Sequence, residues 1–211
     1  MILSWYGLSS FKISSVGDKV TIITDPFSSK ESGLTAPRGG ADIVLISKDT
    51  ELHNNIEGIT GDPLVIRNPG EFDIKGVHIR GIVNDGGRDE TTIYHLEVDG
   101  VRIAFLGALN LPELTQQQLE DLNGVDVAVV PIGGKDRVCN WEAAAHIVQQ
   151  IEPKYVVPSY FSQKGLKFDL DESAKFLKEL GGEAREEERL TLKSKDLSLE
   201  TIQVISLLPQ R

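Results

Sequence analysis

The sequence predicts an α+β fold in which two β-sheets are sandwiched between helices, and three observations lead to this prediction. The first half of the chain is a series of short apolar strands separated by turns. The second half contains three helical segments with capping signals, and strand-like segments close the chain. With 211 residues, the chain suits one domain, residues 1–211, whose core is large enough to fold without a metal or a disulfide.

Hairpins and apolar runs define the strands. Gly17-Asp18 lies between strands predicted at 11–14 and 20–24, and Asp99-Gly100 lies between longer ones at 91–98 and 101–106. The continuous apolar runs within 42–47 and 125–131 are typical of strands buried on both faces. Further strands are expected at 63–67, 72–74, 77–83, 190–192 and 202–207.

The helices are predicted from their first residues. Thr115 and Gln118 have the spacing of a capping box, and Asn140 can cap a second helix. A third helix is expected from about Asp169 to Gly181. The charge run at 185–189 predicts a solvated turn.

Composition excludes several classes of function. There are 22 basic and 32 acidic residues, and the resulting net charge of −10 argues against nucleic acid or an anionic membrane as partner. The single cysteine, Cys139, can form neither an intramolecular disulfide nor a cysteine-based zinc site. We expect neither a signal peptide nor a membrane span, and therefore a cytoplasmic protein.

A polar loop follows the apolar run at 42–47. It spans residues 47–55 and carries Lys48, Asp49, Glu51 and His53. Ligands of α/β proteins often bind just past the carboxyl ends of strands, so this loop is the first candidate for a functional site.

Along nearly its whole length, the chain resembles the β-lactamase-like zinc hydrolases that include the ascorbate-6-phosphate lactonase-like proteins. The order and spacing of several short segments together carry this resemblance; they are residues 5–11, 24–27, 47–55, 68–76, 105–108, 130–134 and 152–161. The resemblance implies a four-layer αββα sandwich of the metallo-β-lactamase type.

The same resemblance implies that most metal ligands have been replaced. In that family the loop after the buried strand reads His-x-His-x-Asp-His. Lys48 and Thr50 stand at the first two histidine positions of that motif. Leu52 stands at the aspartate position, and His53 alone matches the motif.

The other metal-binding segments differ in the same way. The resemblance places Leu8 at the histidine of a Gly-His-Ser segment, Ala108 at the aspartate of a Gly-Asp pair and Tyr160 at the histidine of a Pro-x-His-Tyr segment. A further family histidine has no counterpart at residues 82–87. Asp25 is retained, and we interpret it as part of a fold-defining turn. The vestigial pocket is expected to comprise Asp25, Lys48, Thr50, Leu52, His53, Ala108 and Tyr160.

These replacements predict that the chain binds no zinc or manganese. A catalytic zinc needs about three protein ligands, and one imidazole cannot retain it. Lys48 would also repel a dication by roughly 8 kcal/mol at about 4 Å and an effective dielectric constant near 20. We hypothesise that its ammonium group instead neutralises acids such as Asp25, Asp49 or Glu71.

Simpler interpretations apply to the remaining reactive residues. His53 is expected to be a hydrogen-bonded relic, and the other three histidines are expected to be surface or satisfied residues; they are His78, His95 and His146. Ser9 or Ser10 could act as a nucleophile only beside an oriented base such as His53. Cys139 precedes a predicted helix, which could lower its pKa, but a buried structural role is the simpler expectation.

The leading functional prediction is a catalytically inactive homologue of a zinc hydrolase that has a binding or scaffold role. Its partner would be a small molecule or a protein, and homo-oligomers are plausible because relatives assemble. The alternative is a lactonase or phosphodiesterase that uses residual groups, or a metal acquired from a partner chain. A nucleic-acid-processing role, which relatives of the fold have, is opposed by the net charge.

Overall fold

The computed structural model describes residues 1–17, 19–84, 90–197 and 201–210. Its helices are α1 (Ser29–Ser32), α2 (Gln116–Asp121), α3 (Trp141–Ile151) and α4 (Ala174–Glu179), with a 3-10 turn at Ser194–Asp196. Its strands are β1 (Ile2–Gly7), β2 (Ser10–Ser14), β3 (Thr21–Thr24), β4 (Gly39–Gly40), β5 (Ile43–Leu45), β6 (Ile59–Thr60), β7 (Leu64–Ile66), β8 (Gly70–Ile74), β9 (Val77–Asn84), β10 (Thr91–Val98), β11 (Val101–Phe105), β12 (Val127–Pro131), β13 (Tyr155–Ser159), β14 (Arg185–Glu187), β15 (Leu190–Thr191) and β16 (Gln203–Leu207).

Most strands belong to two mixed sheets. The first has the order β15-β1-β2-β3-β5-β7 and the second has the order β14-β16-β13-β12-β11-β10-β9-β8, while β4 and β6 form a separate ribbon. In the first sheet β3, β5 and β7 are parallel. In the second sheet β11, β12, β13, β16 and β14 are parallel. Each sheet therefore has a parallel part, and loops follow the carboxyl ends of its strands.

The main core lies between the two sheets. Trp5 and Phe11 from the first sheet belong to the same buried cluster as Tyr94 and Phe105 from the second. The Tyr94 hydroxyl lies 2.9 Å from the carbonyl oxygen of Ile46, to which it donates a hydrogen bond across this interface. Such packing satisfies the polar end of a buried aromatic side chain while its ring fills the core.

A second core lies between the second sheet and the helices. Ala144 and Val148 of α3 pack with Ala128 and Val130 of β12. On the first sheet, a smaller cluster joins strand residues to the segment that carries the β4–β6 ribbon; it contains Ile23, Ala41, Val44, Ile46, Ile59 and Val65. Two packed sheets with few helices confirm the predicted sandwich. Within the described ranges, no helix is long and apolar enough to cross a membrane.

Local signals placed most elements correctly. The capping box of α2 is formed in both directions, between Thr115 and Gln118, and the Asn140 side chain accepts a hydrogen bond from the Ala143 amide. Both predicted hairpins are present as antiparallel pairs. Asp18, within the first turn, lies outside the described residues.

Two local predictions were wrong. The helix expected from Asp169 begins only at Ala174, because the Asp171 backbone instead pairs with Gly133 and Ser162. The charge run expected as a solvated turn contains β14, an edge strand parallel to β16. Charged side chains are common on edge strands because they oppose pairing with further chains, so the composition fits either structure.

Candidate functional site

The candidate site lies where strands of both sheets end. Asp25 follows β3, and the loop with His53 follows β5. Ala108 follows β11, and Tyr160 follows β13 directly. These four strands belong to the parallel parts of their sheets, where ligand sites of α/β proteins are typically found.

A buried hydrogen-bond network joins three of these loops. Asp25 is fully buried, and its carboxylate accepts two hydrogen bonds of 2.6 Å, one from the Ser47 amide and one from the Ser47 hydroxyl. The same hydroxyl accepts a hydrogen bond from the Ala108 amide at 3.2 Å. Burial raises the pKa of Asp25 to about 7, although the Ser47 hydrogen bonds and the facing Ser9 hydroxyl oppose that rise. The network therefore holds the loops together around one carboxyl group.

Gly107 allows this network to form. Its φ is +55°, and a Cβ at this position would overlap the Ser47 side chain. Gly107→Ala is therefore expected to destabilise the protein by about 3 kcal/mol, from backbone strain and displacement of Ser47 together. Urea unfolding would measure the loss.

Gly76→Ala is the matched control for this substitution. Gly76 also has a positive φ, +82°, but a Cβ there would meet no heavy atom within 4 Å. Gly76→Ala should lower the free energy of unfolding only by the cost of backbone strain, about 1–2 kcal/mol. Equal losses for the two variants would show that the contact with Ser47 is unimportant.

His53 is a buried, neutral histidine. Its Nδ1 lies 2.8 Å from the Thr50 hydroxyl, and its ring stacks on Tyr160 with centroids 5.6 Å apart. Burial, with a smaller contribution from the charge of Lys48, lowers the pKa of His53 to about 3. Its Nε2 is buried without a hydrogen-bond partner. This side chain is hydrogen-bonded at one nitrogen and unsatisfied at the other.

Apolar side chains surround this histidine. Leu8, Ala108 and Tyr160 belong to one buried cluster, and Leu52 packs against it. These four residues are among those that the family resemblance placed at metal-ligand positions, together with Lys48, Thr50 and His53. The fold thus brings these four positions together, and here they pack as a hydrophobic cluster.

Lys48 is half-buried and close enough to His53 for its charge to lower the pKa of that ring. Two of the carboxylates that it was expected to neutralise have arginine partners. Asp49 lies 3.4 Å from Arg67, and Glu71 lies 2.6 Å from Arg80.

The serines do not form a hydrogen-bonded pair with His53. The Ser10 hydroxyl donates to the Thr24 carbonyl, a structural contact. Ser9 Oγ and His53 Nε2 are both buried without a hydrogen-bond partner in the described structure. A nucleophilic serine needs a base within hydrogen-bond reach, and this arrangement does not provide one.

The remaining candidates lie in structural positions. His78 contacts Asp73, His95 contacts the Asp121 carbonyl, and His146 contacts Glu113. The Cys139 thiol is buried and donates to the Leu111 carbonyl, and burial raises its pKa to about 11. That direction is opposite to the one that activates a cysteine, so the structural expectation for Cys139 is supported.

The donor set does not fit a metal ion. Across the described ranges, no group of three or more His, Cys, Asp and Glu side chains is placed to hold one. At the site itself, His53 offers one nitrogen, and the carboxylate of Asp25 is already engaged by Ser47. A zinc ion requires about three donors in a tetrahedral arrangement, which these residues do not offer.

A cavity of about 540 Å³ opens beside His53. Sequence reasoning identified part of its wall: Lys48, Thr50, Leu52, His53 and Tyr160. Glu51, from the same candidate loop, also lines the cavity, whereas sequence reasoning missed Glu31, Asp136 and Arg137. Residues 136 and 137 come from the loop after β12, and no short-range motif connects that loop to residues 48–53.

Comparison with known proteins agrees with this architecture. The family model described as "Beta-lactamase superfamily domain" matches residues 2–160. A Thermotoga maritima protein that carries the name Zn-dependent hydrolase of the metallo-β-lactamase superfamily has a TM-score of 0.81 and 27% identity, and the match covers 98% of this chain and 97% of that one. No curated protein sequence matches the chain.

Less similar structures share the fold. The metallo hydrolase Igni18 of Ignicoccus hospitalis has a TM-score of 0.66 and 17% identity, with 100% of this chain and 96% of that one covered. A protein from Parabacteroides distasonis, named as a metal-dependent hydrolase, has a TM-score of 0.66 and 18% identity, with 99% and 93% covered. The chain belongs to the β-lactamase superfamily, and its two-sheet sandwich is the metallo-β-lactamase fold.

Proposed function

We propose that this protein is a member of the superfamily that does not catalyse zinc-dependent hydrolysis and acts by binding another molecule. The observation that carries the proposal is the hydrophobic cluster of Leu8, Leu52, Ala108 and Tyr160 at the positions matched to metal ligands. Leucine and alanine side chains donate no electron pair, so zinc would have to be held by too few ligands.

The remaining polar groups do not replace a metal. Zinc accelerates hydrolysis by lowering the pKa of a bound water from 15.7 to about 7. His53 lacks a partner at Nε2, and its Nδ1 is engaged by Thr50. The charge of Lys48 beside this ring disfavours a dication there.

Loss of the metal is compatible with a stable fold. The two sheets bury a large apolar core between them, and Trp5, Tyr94 and Phe105 are among its fully buried side chains. A domain of this size does not depend on metal binding for its folding free energy. Selection could therefore retain the scaffold and its pocket after the ligands changed.

Metal analysis tests the proposal directly. After incubation with zinc or manganese and desalting, the protein is expected to retain less than about 0.1 equivalent of either metal, because three donors are lacking. A chelator should leave its thermal midpoint unchanged. The proposal would be overturned if the protein retained one equivalent of metal and if removal of that metal also abolished a lactonase or phosphodiesterase activity.

A variant with restored ligands is the matched control. Lys48→His, Thr50→His, Leu52→Asp and Ala108→Asp together return the donors that the family resemblance implies at these positions. This variant should retain more zinc than the wild type under identical conditions, provided that circular dichroism shows it folded. It establishes that the assay detects a metal site when one is present.

A further inference from the structure

The cavity beside His53 has the size of a ligand pocket. Its volume of about 540 Å³ lies within the range of roughly 300–1,000 Å³ that is usual for small-molecule sites. Apolar wall is provided by Leu52 and Tyr160, and polar groups come from loops of both sheets. A few polar groups on a partly apolar wall are the usual composition of a site that orients a small molecule.

The strongest indication of a ligand is the unsatisfied His53 nitrogen. His53 is 3% exposed, and its Nε2 has no hydrogen-bond partner. A buried polar group without a partner is costly in folded proteins, and because His53 lines the cavity, a ligand there can supply the missing partner. If the Thr50 hydroxyl donates to Nδ1, Nε2 carries the proton and requires an acceptor.

Charged groups of both signs line the cavity. Lys48 is half-buried, and its charge acts on His53. The charge of Arg137 lowers the pKa of the Tyr160 hydroxyl against the larger effect of burial, and its guanidinium lies 4.3 Å from the centre of the Phe168 ring. Three exposed carboxylates also line the pocket: Glu31, Glu51 and Asp136.

We propose that this pocket binds a small zwitterionic carboxylic acid, a proposal that rests on the metal-free function above. The carboxylate of the ligand accepts the hydrogen of His53 Nε2 and pairs with Lys48 and Arg137. Its ammonium group lies among the exposed carboxylates, which disfavour a second negative charge. Because Nε2 is shielded from solvent, a side chain of the cavity wall has to move to admit the ligand.

Titration by NMR with four probes tests the charge requirement. The signals of the His53 ring, identified by their loss in His53→Phe, are followed while 4-aminobutanoate, butanoate, glutarate or butylamine is added. The wild type should show a saturable shift in the millimolar range with 4-aminobutanoate. Butanoate should bind about threefold more weakly than 4-aminobutanoate, and glutarate about threefold more weakly than butanoate, because exposed charges usually change affinity by about this factor. Butylamine should leave the ring unchanged.

Variants identify the groups that hold the carboxylate. Lys48→Met should weaken binding of 4-aminobutanoate at least about tenfold, as expected for a charged hydrogen bond. Arg137→Met should weaken it by about threefold, because Arg137 is exposed. Lys164→Met is the matched control; Lys164 lines a different pocket, and its loss should change nothing.

Three results would overturn the inference. These are the absence of any His53 shift with all four probes, butylamine binding as tightly as 4-aminobutanoate, and nitrogen shifts showing the proton on Nδ1. If any of these occurs while the protein still retains no zinc, only this inference fails. Retention of zinc would instead contradict the proposed function, whatever the probes show.

Discussion

Tyr160→Ala is expected to lower the free energy of unfolding by about 3–5 kcal/mol, the range observed when large buried aromatic side chains are truncated. Tyr160 is 1% exposed, its ring stacks on His53, and it packs in one cluster with Leu8 and Ala108. Removal of the ring would leave a cavity beneath the pocket and an uncovered histidine. Urea unfolding at neutral pH, followed by circular dichroism, measures the loss.

Tyr160→Phe separates the ring from its hydroxyl. Phenylalanine keeps the stacking on His53 and the apolar packing, so this variant should differ from the wild type by less than about 1 kcal/mol. A loss below 1.5 kcal/mol for Tyr160→Ala would contradict the idea that the cluster acts as core. A large loss for both variants would assign the stability to the hydroxyl group instead.

Local sequence patterns predicted much of the fold because they reflect interactions between residues that are close in sequence. Capping residues and the alternation of apolar residues act over a few positions, and the elements built on Thr115, Asn140 and Asp99-Gly100 formed as expected. Tertiary pairing decided the exceptions. Nothing near Arg185 indicates that its backbone would pair with Ile205, and nothing near Asp171 shows that its amide would donate to the Gly133 carbonyl.

The candidate site was predicted from single positions that the family resemblance aligned. Leu8, Ala108 and Tyr160 are far apart in sequence, and the family pattern predicted that they lie together; all three belong to one buried cluster. Ser47 and Arg137 could not be found in that way. Ser47 is hydrogen-bonded to Asp25, and Arg137 lines the pocket. Both contacts depend on the packing of loops that are distant in sequence.

Asp25→Asn is expected to change the pH dependence of stability. The pKa of Asp25 is about 7 in the folded protein, above the value of about 3.9 for an unfolded chain. The folded state therefore retains a proton that the unfolded state releases. The stability contributed by this proton is fully present below about pH 4 and is lost as pH rises through 7, by roughly 4 kcal/mol in total.

The measurement is the difference in unfolding free energy between Asp25→Asn and the wild type at several pH values from 5 to 9. Any packing cost of the amide is the same at every pH and does not affect how the difference changes with pH. Because the wild type loses stability as pH rises and the amide cannot ionise, Asp25→Asn should become more stable relative to the wild type. Ser9→Ala provides a test in the opposite direction. It removes a hydroxyl that lowers the pKa of Asp25, so the loss of stability should begin at the same pH as in the wild type but continue to a higher pH and be larger in total. A flat difference curve for Asp25→Asn would mean that Asp25 is already ionised at pH 5 and that its two hydrogen bonds from Ser47 outweigh the cost of burying its charge.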